Sequence, residues 1–155
     1  MVRQLKNALN VYGRGSLDTD IESASPHKLI CLLFEGAQKS IQLAKVHMLN
    51  RAIGEKGAAI SKAIAIIEEG LRVSLDHNGE AAELAANLDA LYDYMGNRLL
   101  MANLKNDPAI LDEVYQLITQ IKTAWDEIDR PEPAQDAASN EPSAAQRASL
   151  SYGRV

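Results

Sequence analysis

Three histidines, one cysteine and a few neighbouring carboxylates are the residues of this chain whose types could do chemistry. A di-metal carboxylate centre in a helical bundle needs Glu-x-x-His on two helices, because that spacing puts both ligands on one face. The residues three positions before His27, His47 and His77 are Ala24, Ala44 and Ser74, so the motif is absent. The acidic pairs Glu68-Glu69, Asp112-Glu113 and Asp126-Glu127 are adjacent in sequence, and adjacent side chains on a helix do not face each other. They read as solvated helix surface. Cys31 lies inside the apolar run Leu29–Phe34 and reads as a buried small hydrophobe. A Cys-x-x-Cys-His haem attachment is absent. Gly13-Arg14-Gly15 is preceded by no strand and followed by no Lys-Ser/Thr, so it is not a phosphate loop. A phosphotransfer histidine needs an exposed mid-helix position, whereas His27 opens its predicted helix and His47 nearly closes it. The residues therefore point to no catalytic, metal or cofactor-binding set.

The elements that would carry such a set are themselves well marked. The chain has 155 residues, 16 Lys+Arg against 21 Asp+Glu, and 5% aromatic residues. That length suits one domain. One cysteine excludes a disulfide scaffold. No apolar run of about 18 residues exists to cross a membrane, and no apolar stretch follows the charged start as in a secretory signal. A net charge of −5 argues against nucleic-acid binding, which normally carries a basic patch. Abundant Ala, Leu and Ile with few aromatics suits packed helices better than sheets.

Proline marks where helices begin. Pro26 follows Ser25 and Pro108 follows Asp107, and both pairs place a capping side chain just before a proline that has no N–H to leave unpaired. The first helix runs from Pro26 to about Asn50, with Ile30, Leu33, Ala37, Ile41, Ala44 and Met48 as its stripe. The second carries Ile53, Gly57, Ile60, Ile64, Ile67 and Leu71 at alternating spacings of four and three, a bundle seam, with a stop at Gly79. The third carries Leu84, Leu88, Leu91, Met95, Leu99 and Ala102. The fourth carries Ile110, Val114, Leu117, Ile121, Ala124 and Ile128, with Leu111, Ile118 and Trp125 beside them, until Pro131 ends it. Short connections make sequential helices antiparallel neighbours. The expected fold is all-α: an antiparallel up-down four-helix bundle over 26–130. A short N-terminal cap segment precedes it over 1–25. The Pro-, Ala- and Ser-rich tail, 131–155, reads as disordered.

The remaining signal is surface. Gly36, Gly54, Gly57, Gly70 and Gly96 fall inside helical patterns, where each costs about 0.8–1 kcal/mol relative to Ala. They serve either close helix packing or shallow grooves that admit another helix. On the third helix, Leu91/Met95 and Tyr92/Leu99 mark two adjacent lines, of which one can face the core and the other a groove. Physical reasoning alone leaves a helix-binding bundle, a phosphotransfer or sensory bundle, and a structural oligomeric bundle.

Several words of the sequence narrow this. Tyr12 precedes Ser23-Ala-Ser-Pro-His-Lys-Leu-Ile30. Leu33-Phe-Glu-Gly-Ala37, Lys62-Ala-Ile-Ala-Ile-Ile67, Asn87-Leu-Asp-Ala-Leu-Tyr-Asp-Tyr-Met95, Ala102-Asn-Leu-Lys-Asn-Asp107 and Ala124-Trp125 follow in order. From Leu9 to Trp125 the chain resembles the flagellar secretion chaperones of the FliS family. The resemblance implies a cytoplasmic, cofactor-free, non-enzymatic four-helix bundle. It would bind the disordered C-terminal segment of flagellin, prevent premature polymerisation and deliver it to a flagellar type III export gate protein. It leaves other flagellar regulators open as partners, and implies neither nucleic-acid binding nor membrane insertion. It makes Tyr92, Met95, Leu99 and Asn103 candidates for the flagellin groove, with core packing as the alternative for Tyr92 and Met95. It makes Leu9 and Tyr12 candidates for export-gate docking or for a cap over the bundle. Asp107 reads first as a helix N-cap.

Overall fold

A computed structural model of the chain describes residues 24–128. Four α-helices follow one another there: α1, Pro26–Leu49; α2, Ile53–Ile66; α3, Ala82–Lys105; and α4, Pro108–Ile128. Among the described residues there is no strand. The chain divides after Thr123 into two compact units, and the packing below belongs to the first. The expected tail, Leu9, Tyr12 and all but the last two residues of the expected N-terminal segment lie outside the described residues.

The helix boundaries follow from local chemistry. Ser25 accepts a hydrogen bond from the Lys28 N–H at 3.1 Å, and Pro26 occupies the first turn. One of the orphan donors at the helix start is thereby satisfied. Asp107 does the same for α4, accepting from the Ala109 N–H at 3.0 Å. Between them, Asn106 closes α3 in the left-handed conformation at φ 53°, a backbone state that asparagine tolerates better than most residues. α3 and α4 thus meet at a two-residue corner.

The second helix ends before its predicted stop. Ile67–Leu71 forms a π-helical turn, and the Arg72 N–H donates to the Ile67 carbonyl at 2.9 Å, five residues back. The Ser74 hydroxyl donates to the Leu71 carbonyl at 2.7 Å and competes with further helix. Gly79 belongs instead to the turn that leads into α3, with its carbonyl accepting from Ala82. The wider turn carries Ile66, Ile67, Gly70 and Leu71 all inward.

Side-chain contacts give the helix order. Lys56 at the start of α2 reaches Asn103 at the end of α3, and Arg72 beyond α2 reaches Asp89 early in α3. Lys45 late in α1 reaches Asp112 early in α4, and Gln38 reaches Thr119. Arg98 of α3 reaches Glu113 of α4. A Cβ built on Gly70 would lie 2.9 Å from a Leu33 methyl, and one on Gly36 3.4 Å from Ile66, so α1 and α2 pack at close range. Each helix is antiparallel to its two neighbours in a closed ring of four.

Every residue of the predicted α1 stripe is buried, as are Leu29, Cys31, Leu32 and Phe34. The other stripes are met in part: Ile60, Ile67 and Leu71, then Met95, Leu99 and Ala102, then Ile110 and Val114 are buried as expected, while the α2 and α4 stripes also draw in residues outside the expected line. In α2 the buried line is Lys56, Ala59, Ile60, Ala63 and Ile66, while Ile53 is exposed. In α4 it is Ile110, Leu111, Val114 and Ile118, with Leu117 and Ile121 half-buried. The cause is common to both. A helix in a ring faces two neighbours as well as the centre, so small residues such as Ala59 and Ala63 take positions a strict large-apolar count assigns elsewhere.

Candidate functional site

Tyr92, Met95 and Leu99 are buried in the bundle core. That is the core packing held open as the alternative for Tyr92 and Met95, and Leu99 lies inside with them rather than on an open groove. At about 100° per residue these three lie within roughly 60° of one another, on one face rather than two. Gly96 and Ala102 join them inside, and Leu91 is half-buried. Burial pushes the Tyr92 phenol well above the ordinary tyrosine range. Asn103 is half-buried, and its carbonyl accepts from the Lys56 ammonium at 3.0 Å. The structure therefore brings three of the four candidates together as core and leaves Asn103 at the surface of the α2–α3 seam.

That seam is the most heavily ionised part of the described bundle. Near one end, Lys56 is only 3% exposed, yet its ammonium bonds both the Asn103 carbonyl and the Asn106 side-chain oxygen. A buried cation at a helix C-terminus meets unpaired carbonyls and the negative end of the helix dipole. Toward the other end, Arg72 donates to Asp89 at 2.9 and 3.2 Å, to Glu68 at 3.0 Å and to Asp93 at 3.3 Å. The bond from Arg72 holds the Asp89 carboxyl below its ordinary range, and Asp89 in turn raises the guanidinium. Three carboxylates on one guanidinium leave a local excess of negative charge.

The α3–α4 seam has its own polar clasp. Glu113 accepts from the Tyr94 hydroxyl and, at 2.9 Å, from Arg98. Tyr94 and then Arg98 hold the Glu113 carboxyl below its ordinary range, and Glu113 raises the Tyr94 phenol. The α1–α4 seam is tied by Gln38–Thr119 at 2.9 Å, Gln42–Tyr115 at 3.1 Å and Lys45–Asp112 at 2.9 Å. None of these groups is arranged as a nucleophile with a base beside it; they hold helices together. The histidines sit apart: His27 in the first turn of α1, His47 in its last turn and His77 in the α2–α3 connection.

What the bundle presents is apolar. Leu43, Val46 and Leu49 of α1, Ile53 of α2, and Leu100 and Leu104 of α3 are each more than half exposed. They occur near the end that holds the α1–α2 and α3–α4 connections. Ile53 is expected in the α2 seam and lies outside it, and the apolar spacing singles out none of Leu43, Val46, Leu49, Leu100 and Leu104 as surface residues. The i, i+4 spacing of Leu100 and Leu104, off the line of Met95 and Leu99, was the available signal. The helical glycines also divide. Gly36, Gly70 and Gly96 each meet a side chain at close range, whereas a Cβ on Gly54 or Gly57 would meet nothing within 4 Å.

Capped helices, structural ion pairs and apolar side chains left at the surface define a small non-catalytic-looking helical bundle with surface open to another chain. The match to known proteins is more specific. The family model described as "Flagellar protein FliS" matches residues 8–132. The chain is 42% identical over 122 residues to the flagellar secretion chaperone FliS of Salmonella typhimurium, spanning 79% of this chain and 90% of that one. It is 44% identical over 121 residues to the flagellar secretion chaperone FliSB of Pseudomonas aeruginosa, spanning 78% and 94%. With FliS of Escherichia coli it shares 43% over 116 residues, spanning 75% and 85%. This chain belongs to the FliS family, a family of flagellar secretion chaperones and not of enzymes.

Proposed function

We propose that this protein is a cytoplasmic export chaperone for flagellin. It binds the C-terminal segment of newly made flagellin, prevents that segment from polymerising early, and delivers it to the flagellar export gate. Membership of the family supports the flagellar setting. The observation that carries the binding role is the set of exposed apolar side chains on α1, α2 and α3. A soluble bundle of this size gains nothing from them, whereas an amphipathic partner that folds onto them buries area on both sides. A segment that orders on binding pays conformational entropy at that moment and needs an extended surface to recover it. Among the described residues no helix is long and apolar enough to cross a membrane, which agrees with a chaperone that meets its client before export. Leu9 and Tyr12 belong to this proposal as the residues that cap the bundle or dock it to the gate.

The test is direct. Purified chain is mixed with flagellin from the same genome, intact and lacking its C-terminal segment, and binding is followed by calorimetry. The intact protein is expected to bind and the truncated one to fail. Binding that survives the truncation, or no binding to intact flagellin, overturns the reading.

A further inference from the structure

The α2–α3 connection holds the one asparagine of this chain that is followed by glycine, Asn78-Gly79. Both residues are exposed and lie outside any helix. The Asp76 carboxylate accepts from the Asn78 N–H at 3.0 Å, a turn closed by a side chain. Among the described residues, neither the Asn78 side-chain amide nor the Gly79 N–H has a hydrogen-bond partner. Gly79 contributes only its carbonyl, which accepts from the Ala82 N–H at 3.2 Å as α3 begins.

The other described asparagines differ at the N–H that follows them. Asn87, Asn97 and Asn103 lie within α3, where the next N–H belongs to the helix ladder. Asn50 and Asn106 end helices, but the Arg51 N–H donates to the Met48 carbonyl at 3.2 Å and the Asp107 N–H to Ala102 at 3.2 Å. Among the described residues, only Asn78 combines an unbonded side-chain amide with an unbonded N–H just after it. The second residue, moreover, has no Cβ to shield its nitrogen.

We propose that Asn78 is a site of spontaneous covalent modification, at which the chain attacks its own side chain and the amide becomes a carboxylate. The Gly79 nitrogen adds to Cγ of Asn78. The new N–Cγ bond closes a cyclic imide, the Cγ–Nδ2 bond breaks, and Nδ2 leaves as ammonia with the proton from the Gly79 N–H. Water, the sole co-reactant, then opens the ring. Its addition at Cγ gives aspartate, and its addition at the main-chain carbonyl carbon gives isoaspartate. Either product adds one negative charge to a turn that already holds Asp76 and Glu80, a change that acts by like-charge repulsion. Isoaspartate also routes the main chain through the side chain, which adds one carbon before Gly79. That displaces the Gly79 carbonyl from Ala82 and loosens the first turn of α3. The neighbouring His77 helps to hold the Asp89 carboxyl below its ordinary range, after Arg72, so the change falls beside the Arg72–Asp89 ion pair.

The full chain is incubated in mildly alkaline buffer, native and in urea, then digested with trypsin and weighed by mass spectrometry. Cleavage after Arg72 and Arg98 gives one peptide, 73–98, that carries Asn78, Asn87 and Asn97 together. Two helical asparagines thus serve as internal controls. Fragment masses are expected to place an amide-to-acid conversion at Asn78, with Asn87 and Asn97 unchanged and ammonia released in step. The native rate is expected to lie within severalfold of the rate in urea. The product peptide is expected to separate into two species of equal mass, aspartyl and isoaspartyl. Gly79→Ala is expected to slow the conversion severalfold, native and in urea alike. Gly79 takes no left-handed φ, and the Asp76 carboxylate can swing away from a new Cβ, so its melting temperature should hold. An Asn78 that converts in urea but stays intact in the native chain overturns the proposal. So does a Gly79→Ala variant that reacts as fast as the parent, or conversion of Asn87 or Asn97 alongside Asn78. A single aspartyl product overturns the imide route.

Discussion

The ammonium of Lys56 donates to the main-chain carbonyl of Asn103 at 3.0 Å, across forty-seven residues of sequence, from a position almost wholly removed from solvent. It also bonds the side chain of Asn106, the left-handed residue that ends α3. One side chain thus closes two needs: a carbonyl of the last helical turn, and the alignment of α2 with the α3–α4 corner.

Replacing Lys56 by Met keeps an unbranched stem one atom shorter and removes the charge. The Asn103 carbonyl then loses a buried donor, at a cost of about 1–3 kcal/mol. Chemical denaturation of Lys56→Met checks this. An unchanged midpoint would mean that water replaces the ammonium without loss.

Two glycines of α2 and its π-turn are expected to respond in opposite directions. Gly70→Ala places a methyl 2.9 Å from Leu33, which is 1% exposed and enclosed. Overpacking there costs about 1–3 kcal/mol. Gly57→Ala meets open space and gains helix propensity, stabilising by up to about 1 kcal/mol. Melting temperatures of the two variants, measured together, decide it.

Acid is expected to loosen the seams of α3. Asp89 and Glu113 have folded-state values lowered by Arg72, and by Tyr94 and Arg98. A depressed carboxyl contributes stability that is present above its unfolded value of roughly 4 and lost as pH falls through the folded value. Stability is therefore expected to be level through neutral pH and to drop below about pH 4. Arg72→Met and Glu113→Gln should each shrink that drop, as read from urea midpoints across pH.

Tyr94 carries the opposite sign. Its phenol is raised, first by the bond to Glu113. The stability it contributes is complete below the unfolded tyrosine value of roughly 10 and is lost as pH rises through the folded value. Tyr94→Phe should remove one late step from the tyrosinate absorbance titration and soften the alkaline unfolding edge. Retention of that step in the variant would assign it to another tyrosine.

Leu9 and Tyr12, proposed to cap the bundle or dock it to the export gate, are expected to affect flagellin export or affinity more than folding. Leu9→Ala and Tyr12→Ala should keep most of the melting temperature while export of flagellin falls. Collapse of the fold would place these residues in the core.

The helix count, direction and starts were legible because they are local. Ser25-Pro26 and Asp107-Pro108 satisfy orphan donors within three residues of themselves, and the α1 stripe needs only a period near 3.6. The family words, from Leu33-Phe-Glu-Gly-Ala37 to Ala102–Asp107, likewise lie open in the sequence. Which apolar side chains face inward was not legible to the same degree. Tyr92, Met95 and Leu99 share an arc that periodicity marks as apolar, but how that arc is turned follows from contacts with neighbouring helices, such as Gly96 with Glu68 and Arg98 with Glu113. Leu100 and Leu104 are left outside by the same rotation.

The sequence by itself determined an all-helical bundle of the FliS family, since capping, periodicity and ordered motifs act over a few residues each. Tertiary structure alone decided that Lys56 is buried against Asn103, that Arg72 gathers three carboxylates, and that two of five helical glycines serve no internal packing. The contacts of Lys56 with α3 and of Arg72 with Asp89 join residues 17 to 50 positions apart across a seam. No local pattern encodes how far a helix turns about its own axis when its neighbours close around it.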